Sequence, residues 1–308
     1  METTVVTQDG VSLHVEGSGD GGRPVLLLHG GGRSSGNWDD VAAALTALGN
    51  APVTVDLRGH GRTPPAPWSW PAAVADVAAV VDHLGLDRPA VVGHSLGGMV
   101  AALWAAEHPE CPLAVNADGH GNPTATGQFA GEPDRAAVAA LIETLESMRT
   151  ALSPQLAEVM AAIDGLDLLG VYARARCPLV LVRGSESMAE LLPEAAQPAW
   201  RACERWLLYR LTDAADASPL VDLVITPTAH DVHLERPELL VPLIDDHLRA
   251  VRWAFLRERL RGSPKAQSSP PRATSWRAMT SRWISLVPSP TIMSGASRKY
   301  RSTSNSVE

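Results

Sequence analysis

Gly93-His94-Ser95-Leu96-Gly97 is flanked by stretches of opposite character. Before it runs Arg88–Gly93, short, apolar and β-branched, which reads as a buried strand. After it runs Gly98–His108, rich in good helix formers. A strand that turns sharply into a helix holds its middle residue at the tip of the turn, in strained geometry. Glycine is needed at 93 and 97 because a Cβ there would collide with the neighbouring helix and strand. The turn lifts the Ser95 hydroxyl clear of a sheet and leaves the Leu96 N–H at the positive end of the helix. Ser95 is therefore the candidate nucleophile; the alternative is a glycine-rich strand–helix turn with an inert serine.

Working outward, the pattern repeats. Thr4–Thr7 and Val11–Glu16 alternate apolar and polar around Asp9-Gly10 and predict a hairpin. Pro24–Leu28 is a continuous apolar run, the mark of a strand covered on both faces, and ends in His29-Gly30-Gly31-Gly32. A helix is expected over Asn37–Gly49, a strand over Pro52–Asp56, and a helix over Ala72–Leu84. Beyond the central turn, Pro112–Ala117 is a strand leading to Asp118. Pro178–Arg183 and Val221–Thr226 are later strands, and Pro237–Ala250 is a closing helix. Leu191–Arg205 reads as helix interrupted by Pro193 and Pro198. Strands alternating with helices of this length imply an α/β fold, a mostly parallel twisted sheet flanked by helices. In such sheets ligands bind beyond the carboxyl ends of the strands. The chemistry is expected on the loops that open at His29, Asp56, Ser95 and Asp118.

Between about 122 and 176 the alternation stops. Ala136–Thr150 and Pro154–Ile163 read as helices, so this segment is expected to be a small helical lid insertion. The alternative is an elongated surface connection. The organisation expected is an α/β domain over 1–250, then 251–308 as a helical extension followed by a disordered basic tail. Residues 262–308 hold seven basic residues against one acid, which leaves about −14 of the chain's formal charge of −8 on residues 1–261. The tail is either a basic segment folding back on an acidic body or an extension of no selected function, such as an out-of-frame one. The second reading is preferred.

The chain has 308 residues, 45% hydrophobic and 19% charged, with pI near 5.7. An acidic balance argues against nucleic acid or an anionic membrane as partner. Three cysteines (Cys111, Cys177 and Cys203) with no CxxC or metal-type spacing suit free thiols in a reducing compartment. No basic stretch followed by an apolar one opens the chain, and no run is long enough to span a bilayer. These features predict a cytoplasmic protein with no metal and no cofactor; they say nothing of oligomeric state.

A serine hydroxyl needs a base, and the base needs a group to orient it. Of ten histidines, His14, His83, His108 and His247 lie in strands or helices away from the strand tips; His60 and His120 lie on tip-side loops. His230 follows the last strand, in the order nucleophile, acid, base, and is the candidate base. His233 is its neighbour and is expected to pack or hydrogen-bond locally. Asp118 and Glu186 both end strands between Ser95 and His230, and order does not choose between them. For an oxyanion, Leu96 supplies one backbone N–H and Gly31 the second, with Gly32 behind it. The glycine-rich loop is not a phosphate loop, since no Gly-Lys-Ser/Thr follows.

Taken together and in this order, His29–Gly32, Asp56–Arg62, Gly93–Gly98 and Ala229–Pro237 resemble the α/β-hydrolase fold superfamily, of the serine-nucleophile, esterase- or lipase-like kind. The resemblance covers roughly residues 5–250. It implies Ser95 as nucleophile, His230 as base, and Leu96 and Gly31 as oxyanion donors, with Asp56 and Arg58 as scaffold. The family usually carries its acid three residues after the glycine that ends the later strand. That position is Ser187 here, which cannot serve. Some members carry the acid after the strand that follows the central helix, so Asp118 is the first choice and Glu186 the second. The expected activity is a hydrolase with a Ser-His-acid triad, cleaving a small carboxylic ester or related acyl compound through an acyl-enzyme. Thioester, lactone, amide and carbon–carbon bonds stay open, as does a perhydrolase variant. The serine argues against dehalogenase or epoxide-hydrolase chemistry, where family members use Asp. The alternative is a small-molecule binding protein of little or no turnover on the same scaffold.

Overall fold

The computed structural model describes residues 1–17, 19–121, 123 and 127–261, with backbone alone for 251–261. The tail expected over 262–308 lies outside the described residues, as do Asn122 and 124–126 at the start of the expected insertion.

Eight strands form one sheet. In chain order they are β1 (Glu2–Val6), β2 (Ser12–Glu16), β3 (Arg23–Leu28), β4 (Asn50–Val55), β5 (Ala90–His94), β6 (Ala114–Ala117), β7 (Leu179–Gly184) and β8 (Val221–Thr226). The spatial order is β1-β2-β4-β3-β5-β6-β7-β8. β1, β2 and β4 pair antiparallel; every pairing from β4 to β8 is parallel. The sheet order reverses beside β3 and β5, which places the crevice beyond the ends of these two strands.

Successive side chains of a strand face opposite sides, and the apolar runs divide accordingly. Leu26, Leu28, Val91, Leu179 and Leu181 join one core with α2 (Trp70–Leu84) and α3 (Leu96–Glu107). Val25, Leu27, Val92, Val180 and Val182 join the other with α1 (Asp39–Ala47) and α9 (Pro237–Arg261). Between β6 and β7 lie α4 (Arg135–Thr150), α5 (Pro154–Asp164) and α6 (Leu168–Ala173). α4 and α5 fall where periodicity places them. The six-residue α6 is too short for periodicity to show, and Asp167 caps it by accepting from the Gly170 N–H.

α7 (Gln197–Ala217) departs from expectation. Pro193 precedes a short 3-10 turn, and Pro198 lies in the first turn of α7, where a missing N–H costs nothing. The proline starts the helix rather than breaking it, and α7 runs on well past Arg205. α8 (Val232–Glu235) joins β8 to α9. α9 contains Pro242 and continues beyond Ala250 to Arg261. Among the described residues, no helix is long and apolar enough to cross a membrane.

Candidate active site

β5 enters the turn at His94, and Ser95 adopts φ 50°, ψ −114°, outside the regions open to an ordinary L-residue. Such strain costs on the order of 1–3 kcal/mol and persists only where packing enforces it. The enforcement is visible. A Cβ on Gly93 would lie 2.0 Å from Gly97 O, and one on Gly97 would lie 2.3 Å from Leu28 O. The turn is also tied to both neighbouring strands. The Ser95 N–H donates to Ala117 O at 2.9 Å, and the Gly97 N–H to His29 O at 3.1 Å.

β6 delivers Asp118 by a similar device. Asn116, an amide inside an apolar strand, accepts from the Gly119 N–H and donates to Gly119 O, both at 2.8 Å. The loop so formed holds Asp118 at φ 54°, a conformation Asp tolerates better than most residues. Asp118 is buried, and its two oxygens are shared out. Oδ2 accepts from His230 Nδ1 at 2.8 Å. Oδ1 accepts from Arg183 Nη1 at 2.7 Å and from the Gly184 N–H at 3.2 Å. Burial pushes this carboxyl up, but the His230 hydrogen bond and the Arg183 charge outweigh it, and the group is held below the usual carboxylate range.

His230 follows β8 and is partly exposed. Its Nδ1 is committed to Asp118, which leaves Nε2 outside that bond. Ser95, Asp118, Arg183 and His230 line one cavity of about 170 Å³. Among the described residues no hydrogen bond joins Ser95 to His230. An adjoining cavity of about 180 Å³ shares Met99, His120, Ile163 and Leu207 with it and extends to Leu168, Tyr172 and Trp206. Glu186 is exposed on the loop after β7, where its N–H donates to Thr228 O at 2.9 Å; the structure does not bring it to His230. Ser187 donates instead to Glu204 on α7 at 2.7 Å.

The Leu96 and Gly31 N–H groups have no acceptor among the described residues. Gly30 packs against the elbow, since a Cβ there would lie 2.9 Å from His94 Nδ1 and 3.2 Å from Ser95 Cβ. Above Gly31 sits Leu156 of α5, 3.5 Å from where a Cβ would stand. His29 is buried and clips two loops together. Its Nδ1–H donates to Gly30 O at 2.7 Å, and its Nε2 accepts from the Leu57 N–H at 3.0 Å. Burial pushes its pKa down to about 4. Asp56 accepts from the Ser35 and Arg62 N–H groups, and Arg58 is paired with Asp76 through two bonds of 2.7 and 2.6 Å.

His233 packs rather than bonds. It lies against Trp38 and His94, with ring centroids 4.6 and 4.2 Å away, and neither nitrogen has a partner. His120 is half-buried, its Nε2–H donating to Val182 O at 3.1 Å and its Nδ1 accepting from Tyr172 OH at 2.9 Å. His94, His230 and Asp231 bring ligand-type atoms within 4.8 Å of one another. In this group His94 Nε2 bonds to His230 O, His230 Nδ1 to Asp118, and Asp231 to Arg33 through two bonds of 2.8 and 2.7 Å. Sequence reasoning passed over Asn116, Tyr172 and Arg183. Asn116 and Arg183 carried a signal, a polar residue inside an otherwise apolar strand.

A strained serine between a parallel strand and a helix, with histidine and aspartate from later strand ends in one cavity, is the architecture of an α/β-hydrolase fold. Residues 23–151 match the family model described as alpha/beta hydrolase fold, and the chain has that fold. A putative aryl esterase from Burkholderia cenocepacia superposes with a TM-score of 0.57 at 23% identity, covering 82% of this chain and 99% of that one. Epoxide hydrolase 2 of Siraitia grosvenorii is 34% identical over 114 residues, 36% of this chain and 36% of that protein. The bifunctional esterase/perhydrolase of Acinetobacter calcoaceticus is 37% identical over 114 residues, 36% of this chain and 41% of that protein. These curated relatives are matched over less than half their own length, and their names describe different reactions.

Proposed function

We propose that this protein is a serine hydrolase that cleaves a small carboxylic ester through an acyl-enzyme. The observation that carries the reading is the 2.8 Å bond from His230 Nδ1 to Asp118, which leaves Nε2 basic in the cavity that Ser95 lines. His230 takes the Ser95 proton as Oγ attacks the carbonyl carbon. The oxyanion is held by the Leu96 and Gly31 N–H groups, each worth about 3–4 kcal/mol at the transition state. His230 returns the proton to the leaving alcohol, then activates a water that releases the acid. Asp118 keeps the imidazole in one tautomer and stabilises its cation. Catalytic contacts of this kind often tighten only when substrate binds. The helices between β6 and β7 act as the lid over this site, and the protein works in the cytoplasm on a small molecule without a cofactor.

Fluorophosphonate labelling tests the proposal. Rapid labelling that is abolished in Ser95→Ala, with turnover of p-nitrophenyl butyrate lost in parallel, is the expected result. A second reading, a binding protein of little turnover, is favoured by the missing Ser95–His230 bond. Folded protein that takes up no label would establish that second reading.

A further inference from the structure

Arg183 is the one charged residue of β7, and its side chain is only 14% exposed. A guanidinium that far from water is costly unless paired. Its pairing is with the carboxylate that also holds His230. Arg183 Nη1 and the Gly184 N–H take Asp118 Oδ1, and His230 takes Oδ2. On its other side, Nη2 lies 3.9 Å from Glu204 of α7, the residue that receives the Ser187 hydroxyl. The position where the family resemblance looks for an acid is thus bonded to Glu204, on the far side of Arg183 from Asp118. β6 and β7 are in register there, Ala117 opposite Val182, so Arg183 reaches Asp118 from the adjacent strand.

We propose that Arg183 is a positioning residue: it clamps Asp118 and, through it, fixes the orientation and charge state of His230. The proposal rests on the reading of His230 as base given above. With one oxygen pinned by arginine, the carboxylate has a single free face, and that face meets the imidazole. The guanidinium also offsets part of the negative charge that Asp118 presents to the imidazole. Other groups facing the imidazole are His120 after β6, His94 at the end of β5, and Asp231 and His233 from its own segment. None of these supplies a second permanent positive charge against Asp118.

Two variants separate charge from geometry. Arg183→Gln keeps an N–H toward Asp118 and removes the cation. The acid limb of its kcat/KM–pH profile, and the pH at which the His230 ring signals move in NMR, are expected to rise by about one unit. Arg183→Lys keeps the charge without the planar fork. Its midpoint is expected to stay within about 0.3 unit of the parent while kcat falls about tenfold, with KM little changed. An unmoved midpoint in Arg183→Gln, or an equal movement in both variants, overturns the proposal. Should Arg183→Gln fail to fold by circular dichroism, Arg183→Lys decides alone, and parental kcat in it is then the overturning result. The NMR titration is read without substrate. A chain that hydrolyses nothing but shows the expected movement sinks the esterase reading and leaves the clamp standing.

Discussion

His94 Nε2 donates a hydrogen bond to the backbone carbonyl of His230 at 3.0 Å, and His94 is the residue that immediately precedes Ser95. The segment bearing the candidate base is thus fastened to the strand bearing the candidate nucleophile. The His94 ring is fully buried, with its centroid 4.7 Å from that of His230 and 4.2 Å from that of His233.

His94→Ala removes that fastening and leaves a space beside the His230 and His233 rings. A loss of about 2–4 kcal/mol of stability is expected from the cavity and the unpaired carbonyl. Turnover should fall at least tenfold if the His230 loop then drifts from Ser95. Urea unfolding and kcat for a p-nitrophenyl ester measure the two effects separately, and unchanged kcat in a destabilised protein would show the bond to be structural alone.

Asp118→Asn keeps the shape of the site and removes the anion that selects the His230 tautomer. A fall in kcat of about 10³–10⁴ is expected, the scale seen when a triad aspartate becomes an amide. Glu186→Gln, exposed and away from His230, should stay within about twofold of the parent, as surface changes usually do. The reverse ranking would move the acid to the loop after β7.

Acid should destabilise this fold well before its carboxylates titrate. His29, His120 and His233 are pushed down to about 4, burial being the largest cause for each, and burial also lowers His94. The unfolded chain binds protons at these rings near the ordinary value of about 6.5, and the folded chain does not until about pH 4. Between those limits the unfolded state holds more protons, so unfolding is increasingly favoured as pH falls, by about 1.4 kcal/mol for each ring and pH unit. Asp118 acts in a lower window: its folded value lies below the unfolded one, so its contribution is present above about pH 4 and disappears below that. Urea midpoints between pH 7.5 and 4.5 check the sign. A midpoint flat across this range would mean that the rings become solvated or charged without unfolding.

Gly97→Ala is expected to yield insoluble or unfolded protein, because its Cβ meets the backbone of Leu28, which cannot move aside. Gly10→Ala, in the β1–β2 turn with nothing within 4 Å but φ 86°, should fold with a loss of about 1 kcal/mol. Expression and thermal melting of the two variants compare close approach with backbone strain.

The parts of this fold that were legible in the sequence are those whose signal is local. β8 occupies Val221–Thr226 as the apolar run predicts, and the Gly93–Gly97 turn announces itself by its neighbours on both sides. Errors arose where one residue has two meanings. Pro198 reads as a breaker by its type but starts α7 by its position in the first turn. The Arg183–Asp118 contact spans 65 positions and depends on β6 and β7 being neighbours, a fact about strand order that no window of sequence contains. Two acids ending strands looked equivalent in one dimension; burial and the reach of His230 separate them in three.

Ser95, Asp118, Arg183 and His230 hang from four successive strands, β5 to β8, running from the middle of the sheet to its edge. A nascent polypeptide therefore carries its serine long before His230, and under the proposed mechanism a fragment ending ahead of β8 lacks the base. The stretch that matches the family model, 23–151, holds Ser95 and Asp118 but ends before Arg183 and His230.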